Sequence, residues 1–337
     1  MTKQAKSPLS LRPNTALSFK ILSLLATILL YSSLFCAASL EGADKKSKYP
    51  QKTIALLCTG SPGGTTDREM RVTVPYLSKY LGTSINIEYL PGLDSLLAFN
   101  KFYKQKPDGY SLLAFNLLSP VVLESTRTSA AFVTKEFSFL AGRTVNNFVL
   151  AVHPENWKTF GDFLNSAKQK KISLAATGGT TDLQGYLLED ALGIKFNWVP
   201  YSSGQEAVAA VAGKHVDAVL SLPVTIMPMA KAGRLRPLVI FSSINDPVLP
   251  GVPSLKDLGY GHVPTLQVRG ALAAPPHTPP EIVKVLEKAM KNVAEDPAYL
   301  KAAQNAGVTI DYQPAAALHK LAADYYAIVN KYKALLK

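Results

Sequence analysis

Hydrophobic positions along the chain gather into short apolar runs, separated by longer stretches in which apolar residues recur at helical spacing. The runs predict strands at "TIALLC" (53–58), "INIEY" (85–89), "YSLLAF" (110–115), "FVLAVH" (148–153), "ISLAAT" (172–177), "FNWVPY" (196–201), "VDAVLSL" (216–222), "RPLVIFS" (236–242) and "GALAAP" (270–275). Between them the spacing predicts helices over 67–80, 94–105, 159–169, 182–192, 205–212 and 224–232, with turn signals at Pro91-Gly92, Pro107-Asp108-Gly109, Gly193 and Gly213. Such alternation is the pattern of βα units around parallel-type sheets. From Pro279 to Lys337 the pattern is helical throughout, opening behind a proline pair, interrupted by a C-cap glycine at Gly307 and ending in a long helix that starts near Pro314. No low-complexity linker divides the chain, so a two-domain arrangement requires crossings through strands. The best candidates are 142–149 and 268–272.

The first fifty residues stand outside this pattern. Lys3, Lys6, Arg12 and Lys20 precede the weakly polar to apolar run Ile21 to Phe35, and "CAAS" follows with small residues, the layout of a secretory signal cleaved near Ala38. The run is shorter than the roughly 20 residues a spanning helix needs. Residues 39–47 then form a solvated leader. Removing residues 1–38 lowers the formal charge from +12 to +8, because that segment holds four of the 36 basic residues and none of the 24 acidic ones. The basic residues are scattered and not interleaved with aromatics, which argues against nucleic-acid binding. Loss of Cys36 leaves Cys58 alone, so no internal disulfide is expected and Cys58 reads as a strand residue. With 47% hydrophobic residues in the full chain, the part that remains can bury real cores, and a monomer outside the cytoplasm is expected.

The candidate chemistry lies in a repeated pentapeptide, "GGTTD", at Gly63-Gly64-Thr65-Thr66-Asp67 and again at Gly178-Gly179-Thr180-Thr181-Asp182. Each copy joins a predicted strand to a predicted helix. A strand that ends in glycines and runs directly into a helix gathers unpaired backbone N–H groups and the positive end of the helix dipole at one spot, which binds carboxylate, phosphate or other anions. Glycines let a ligand approach the backbone, and threonines add hydroxyl donors. The competing reading is a tight connection in which Thr and Asp only cap the helix. A P-loop is excluded because "GSPGGTT" has no lysine in the required place, and neither copy has the glycine spacing of a dinucleotide fingerprint.

The segment "YPQKTIALLCTGSPGGTTD" resembles the mature amino terminus of the extracytoplasmic solute receptors of tripartite tricarboxylate transporters, the TctC-like Bug family, with its Tyr-Pro, strand and Pro-Gly-Gly-x-x-Asp beginning at Pro62. Six further matches follow in the same order: "PDGYSLLAF" (107–115), "LAATGGTT" (174–181), "WVPYSSGQEAVAAVAGKHVDAVLS" (198–221), "PMAKAGRLRPLVIFS" (228–242), "DPVLPGVPSLKDLGY" (246–260) and "APPHTPPEIVKVLEKAM" (274–290). The resemblance implies a type II periplasmic-binding-protein fold, with two Rossmann-like α/β lobes joined by two crossover strands and a helical carboxyl-terminal tail. It implies one lobe over 48–146 plus 271–337 and the other over 147–270, so that each lobe carries one GGTTD loop. It also implies a clamp that captures a small organic carboxylate and works with integral membrane subunits of such a transporter, without a cofactor. The sequence departs from the family at Asp182, where a histidine is frequent, at Arg269, where an aromatic is common, and at Ser221-Leu222, where Asp-Asn is frequent. Leu93-Asp94 also stands where further glycines are often found.

The residues expected at the site are therefore Pro62, Gly63, Gly64, Thr65, Thr66 and Asp67 in the first loop, and Gly178, Gly179, Thr180 and Thr181 in the second. Asn116 and Ser119 join them at a strand's carboxyl end, where ligands of open α/β sheets bind. Tyr201, with Ser202 and Ser203, resembles a cleft-lining turn of the family, and Ser221 is expected at the site although it stands where the family often has aspartate. Arg143 and Arg269, each at a predicted crossing, are candidate cations for a bidentate carboxylate contact, with Arg269 the one expected at the site. Asp67 and Asp182 either cap their helices or meet ligand. Catalytic and metal sites are not expected: the five histidines have no metal-ligand spacing, no serine sits in a Gly-x-Ser-x-Gly elbow, and Cys58 has no evident histidine partner. An ABC-importer receptor of the same fold, and a secreted enzyme, are the alternatives.

Overall fold

A computed structural model describes residues 49–90, 95–242 and 248–336. The expected signal and leader (1–38 and 39–47), the Pro91-Gly92 turn with Leu93-Asp94, and part of "DPVLPG" lie outside the described residues. Two sheets organise the rest. The six-stranded sheet has the order β11-β4-β10-β3-β1-β2, built from β1 (Ile54–Cys58), β2 (Ile85–Tyr89), β3 (Ser111–Asn116), β4 (Ser138–Asn147), β10 (Gln267–Ala274) and β11 (Ile310–Pro314). The five-stranded sheet has the order β7-β6-β8-β5-β9, from β5 (Val149–Val152), β6 (Ile172–Ala176), β7 (Phe196–Pro200), β8 (Ala218–Ser221) and β9 (Arg236–Ile240).

The sheets share one plan. In each, three parallel strands lie side by side (β2-β1-β3 and β7-β6-β8), a strand arriving from the other sheet inserts antiparallel beside the third (β10 and β5), and a further strand pairs antiparallel with the insert (β4 and β9). The expectation of parallel-type sheets thus holds for three strands of each, β2-β1-β3 and β7-β6-β8. It fails for the inserts, because direction is set by which sheet the chain has come from and not by the apolar pattern. The chain leaves the first sheet at Phe148, the one residue between β4 and β5. It returns before Gln267, since β10 pairs with β4 from Gln267 onward. The segment 268–272 is therefore interior to the six-stranded sheet and not itself a crossing.

Ten helices cover these sheets among the described residues: α1 (Thr65–Leu81), α2 (Leu96–Tyr103), α3 (Leu118–Thr126), α4 (Phe160–Gln169), α5 (Gly179–Leu192), α6 (Gly204–Ala212), α7 (Pro223–Lys231), α8 (Pro280–Glu295), α9 (Pro297–Asn305) and α10 (Ala315–Tyr332). The helix α4 begins on a full capping box between Thr159 and Asp162, and α1 ends at Gly82 in the left-handed conformation, signals that fix both boundaries. Three elements depart from the expected pattern, the first being β4, a ten-residue strand where only a crossing at 142–149 was expected. The tail is not helical throughout, because β11 ("IDYQP") pairs along the edge of β4, and α3 ("LSPVVLEST") occupies a stretch with no predicted element.

The core lies on both faces of each sheet. Phe99, Phe102, Phe115, Phe137 and Phe139 are buried under α2 and α3, while Ile54, Leu56, Met70, Leu77 and Leu286 pack between the first sheet and α1 with α8. These contacts hold the carboxyl ends of β1 and β6, and the loops that follow them, on rigid supports. No described helix is long and apolar enough to cross a membrane.

Candidate functional site

Both GGTTD loops follow the carboxyl ends of buried strands, β1 and β6, and both run straight into helices. The identical pentapeptides start their helices in different registers. In the first loop the N-cap is Gly64, so Thr65, Thr66 and Asp67 form the opening turn of α1. In the second the N-cap is Gly178, one position earlier in the motif, so Gly179, Thr180 and Thr181 open α5. One bond is common to the two. The aspartate reaches back four residues to the first glycine of its loop: Gly63 N donates to Asp67 Oδ2 at 2.7 Å and Gly178 N donates to Asp182 Oδ1 at 3.0 Å. Both of these glycines have left-handed φ, +81° and +82°, which a residue with a Cβ adopts only at a cost. Each aspartate thereby folds its loop, and the amides of the first helical turn lie beyond the reach of intrahelical bonding.

The loops face a common cleft. One cavity of about 310 Å³ is lined by Thr59, Gly60, Thr66, Asn116 and Ser119 from the first sheet's side, and by Thr177 through Asp182 from the second loop. A second, of about 460 Å³, is lined by Ser61 through Thr65 of the first loop and by Gly204, Gln205, Ser221 and Thr225. Thr177 and Thr181 line both, so the two compartments meet at the second loop. Of the expected site residues, Pro62, Gly63, Gly64, Thr65 and Ser221 border the larger space. Thr66, Asn116, Ser119, Gly178, Gly179 and Thr180 border the smaller one, and Thr181 borders both. The start of α6 adds a third helix terminus to the cleft; Ser203 caps it by accepting from Glu206 N.

Other expected residues are used elsewhere. Asp67 is buried behind its loop, where it accepts from the Tyr89 hydroxyl, from Gly63 N and from Arg71 Nε at 3.0 Å. Burial raises its pKa, but those hydrogen bonds and the Arg71 charge outweigh burial and hold the carboxyl below its ordinary value. Arg269 is buried and turns toward the tail, donating to Asp311 Oδ2 at 2.6 Å and to the Asp311 carbonyl at 3.1 Å. It lines neither compartment. The alternation of β10 aims it at β11, a strand that sequence reasoning did not foresee. Arg143 is fully buried against Glu69 of α1 at 3.4 Å, with Asn146 donating to the same carboxylate at 3.1 Å. It too is absent from the cleft lining, and it ties the first crossing to the helix that carries the first loop. Tyr201 packs on the core of the second sheet with its N–H on the Ala176 carbonyl.

Sequence reasoning missed Thr59, Ser61, Ser95, Thr126, Arg127, Thr177, Gln205 and Thr225 as lining residues. Thr59, Ser61 and Thr177 directly extend the two loops, and hydroxyl residues at the carboxyl ends of β1 and β6 were the available signal. Ser95 and Thr126 come from segments distant in sequence and carried none. Cys58 is buried beneath the first loop, where burial pushes its thiol up to about 11, so it is a poor nucleophile at neutral pH. Among the described residues no group of three or more His, Cys, Asp or Glu side chains could hold a metal.

Two sheets of one shared plan, joined by two passages and bordering a cleft lined by helix starts, define a two-lobed solute-binding protein of the type II periplasmic-binding-protein fold. The chain belongs to the receptors of the tripartite tricarboxylate transporter family, whose model matches residues 70–337. It is 30% identical over 268 residues to the "UPF0065 protein in gbd 5'region" of Cupriavidus necator, covering 78% of this chain and 80% of that one. A solved protein described as a periplasmic transporter superposes with a TM-score of 0.75 at 26% identity, over 86% of this chain and 99% of the other. MatC from Rhodopseudomonas palustris, solved with bound malate, shares the fold with a TM-score of 0.72 at 22% identity, covering 86% and 100% of the two chains.

Proposed function

We propose that this receptor captures a small organic carboxylate between its two lobes and delivers it to integral membrane subunits of a tripartite tricarboxylate-type transporter. The observation that carries the reading is the pair of lysine-free Gly-Gly-Thr-Thr helix starts bordering one cleft. Each offers first-turn amides and hydroxyls to an anion, and Thr181 stands where the two compartments meet. The family membership and the malate held by the fold neighbour MatC support the same ligand chemistry. The lobes we assign divide at Phe148 and before Gln267, where the strands change sheets. In this reading the protein acts in the periplasm as a monomer, after loss of residues 1–38. Ligand that touches both loops binds the closed arrangement better and shifts the population toward it. The protein binds its ligand without converting it. Donors supplied by backbone and hydroxyl groups hold a carboxylate, while Asp67, Arg143 and Arg269 are committed to structural pairs.

Thermal-shift screening of the mature protein against dicarboxylates, tricarboxylates, aromatic acids and amino acids, with calorimetry on the hits, tests the proposal. A true ligand at a hundredfold excess over its Kd stabilises the protein by about 2.7 kcal/mol. A melt shifted by a neutral sugar or a cation, and by no carboxylate, overturns the anion reading. Chemically altered ligand recovered from the protein overturns the receptor role.

A further inference from the structure

The smaller compartment has a wall that the two loops do not supply. Besides the residues of the loops it is lined by Val122 and Leu123 of α3 and by Leu335 and Leu336, which follow α10. Val122, Leu123 and Leu336 are buried members of one core cluster, each at most 7% exposed, so their part of the wall is fixed by packing, while Leu335 is 54% exposed. The tail is held in place across the cleft. The Tyr332 hydroxyl donates to Asp190 Oδ2 at 2.7 Å, Lys331 Nζ lies 3.4 Å from the same carboxylate, and the Tyr186 hydroxyl donates to the Leu335 carbonyl at 3.2 Å. Tyr186 and Asp190 belong to α5, the helix that begins at the second loop. The tail's part of the aliphatic wall is therefore anchored to the helix that begins at the second loop.

Charge limits what can occupy this space. The charged residues lining it are Arg127 and Asp182, one of each sign, so it offers no net positive charge to a second or third carboxylate. The loops contribute glycines and hydroxyls, and the aliphatic part of the lining comes from Val122, Leu123, Leu335 and Leu336, beside Ser119, Thr126 and Arg127.

Resting on the carboxylate reading above, we infer that Leu336, with Leu335, Val122 and Leu123, selects monocarboxylates that carry an aliphatic chain over short hydroxylated polyacids. The carboxylate sits at the second loop and the chain lies along the aliphatic wall. Each methylene buried there raises affinity by up to roughly fourfold.

Calorimetry with acetate, butyrate, hexanoate and malate on the full mature chain, wild type and Leu336→Ser, tests the inference. Wild-type affinity is expected to rise by about two- to fourfold per added methylene from acetate to hexanoate, with hexanoate bound at least about tenfold tighter than malate. In L336S the slope along the series flattens and the hexanoate-to-malate preference shrinks severalfold. Loss of affinity by the same factor for every acid marks Leu336 as merely structural and overturns the inference. A flat wild-type series with malate bound tightest also overturns it, while leaving the carboxylate reading in place. Binding of none of the four acids, with no response to any other carboxylate in the thermal-shift screen, overturns both. Should L336S fold poorly, Leu336→Ala read against the same series decides the question.

Discussion

At the scale of residues, Asp67 and Asp182 perform one task in two helical registers, each bonding back to the first glycine of its loop. Asp67 is the more committed, because Tyr89 and Arg71 also converge on it. Its folded-state pKa lies below the unfolded value, so the stability it contributes is present above pH 4 and is lost as pH falls through the folded value. Replacing Asp67→Asn is expected to cost about 2 kcal/mol near pH 7, the scale of a lost charged hydrogen-bond acceptor, and to leave stability less steeply dependent on pH below 4. Urea unfolding across pH 3 to 8 measures both. Thr181 has a different part, since it lines both compartments. Removing its hydroxyl by Thr181→Val is expected to weaken carboxylate binding by roughly tenfold or more in calorimetry, the equivalent of one hydrogen bond to a charged group, with little change in melting temperature. The pentapeptide itself was legible in sequence as a strand-to-helix loop that opens a helix in both copies. The register difference was not, because it depends on which glycine adopts the N-cap geometry, and identical strings offer no way to choose.

Among the elements, β4 and β10 are the strands of the six-stranded sheet that flank the two passages between sheets, and they pair at Gly270. A Cβ there would stand 2.2 Å from Thr144 Oγ1 and 2.7 Å from Glu69 Oε2, beside the buried Glu69 and Arg143 pair. The substitution Gly270→Ala is expected to destabilise the protein by about 1–3 kcal/mol through overpacking, read as a lowered urea midpoint. The same change should loosen the first loop, because Glu69 rides on α1. Most helices and inner strands were readable from periodicity and caps. Three elements were not, among them β4, of which only a crossing at 142–149 was expected. The strand β11 is five residues of mixed polarity that become a strand by pairing with the edge of β4. The helix α3 holds Pro120 and two valines in nine residues, a weak helical sequence stabilised by burial of Leu118, Val121, Val122 and Leu123.

For the whole molecule, the shared strand plan of the two sheets places the two loops at the border of one cleft, and in the proposed function ligand gripped by both draws the lobes together. Small-angle scattering of the mature protein is expected to show a smaller radius of gyration when a bound carboxylate saturates it, and an unchanged radius in a Thr181→Val variant given the same ligand concentration below its weakened Kd. An unchanged radius in saturated wild type rules out hinge closure as the mechanism.

The sequence by itself determined the α/β class, the order of the inner strands and helices, the paired loops and the family, because these rest on periodicity, on glycine and proline chemistry and on short ordered motifs that act locally. Only the tertiary structure decided what each polar residue does. Arg269 was expected to meet ligand, yet it pairs with Asp311 on a strand that exists only by pairing. Leu335 and Leu336, at the far end of the chain, reach the cleft because Tyr332 and Tyr186 hold the tail against α5. A side chain's partners are set by which strands lie adjacent and which face each residue takes, and those are long-range facts that no local pattern encodes.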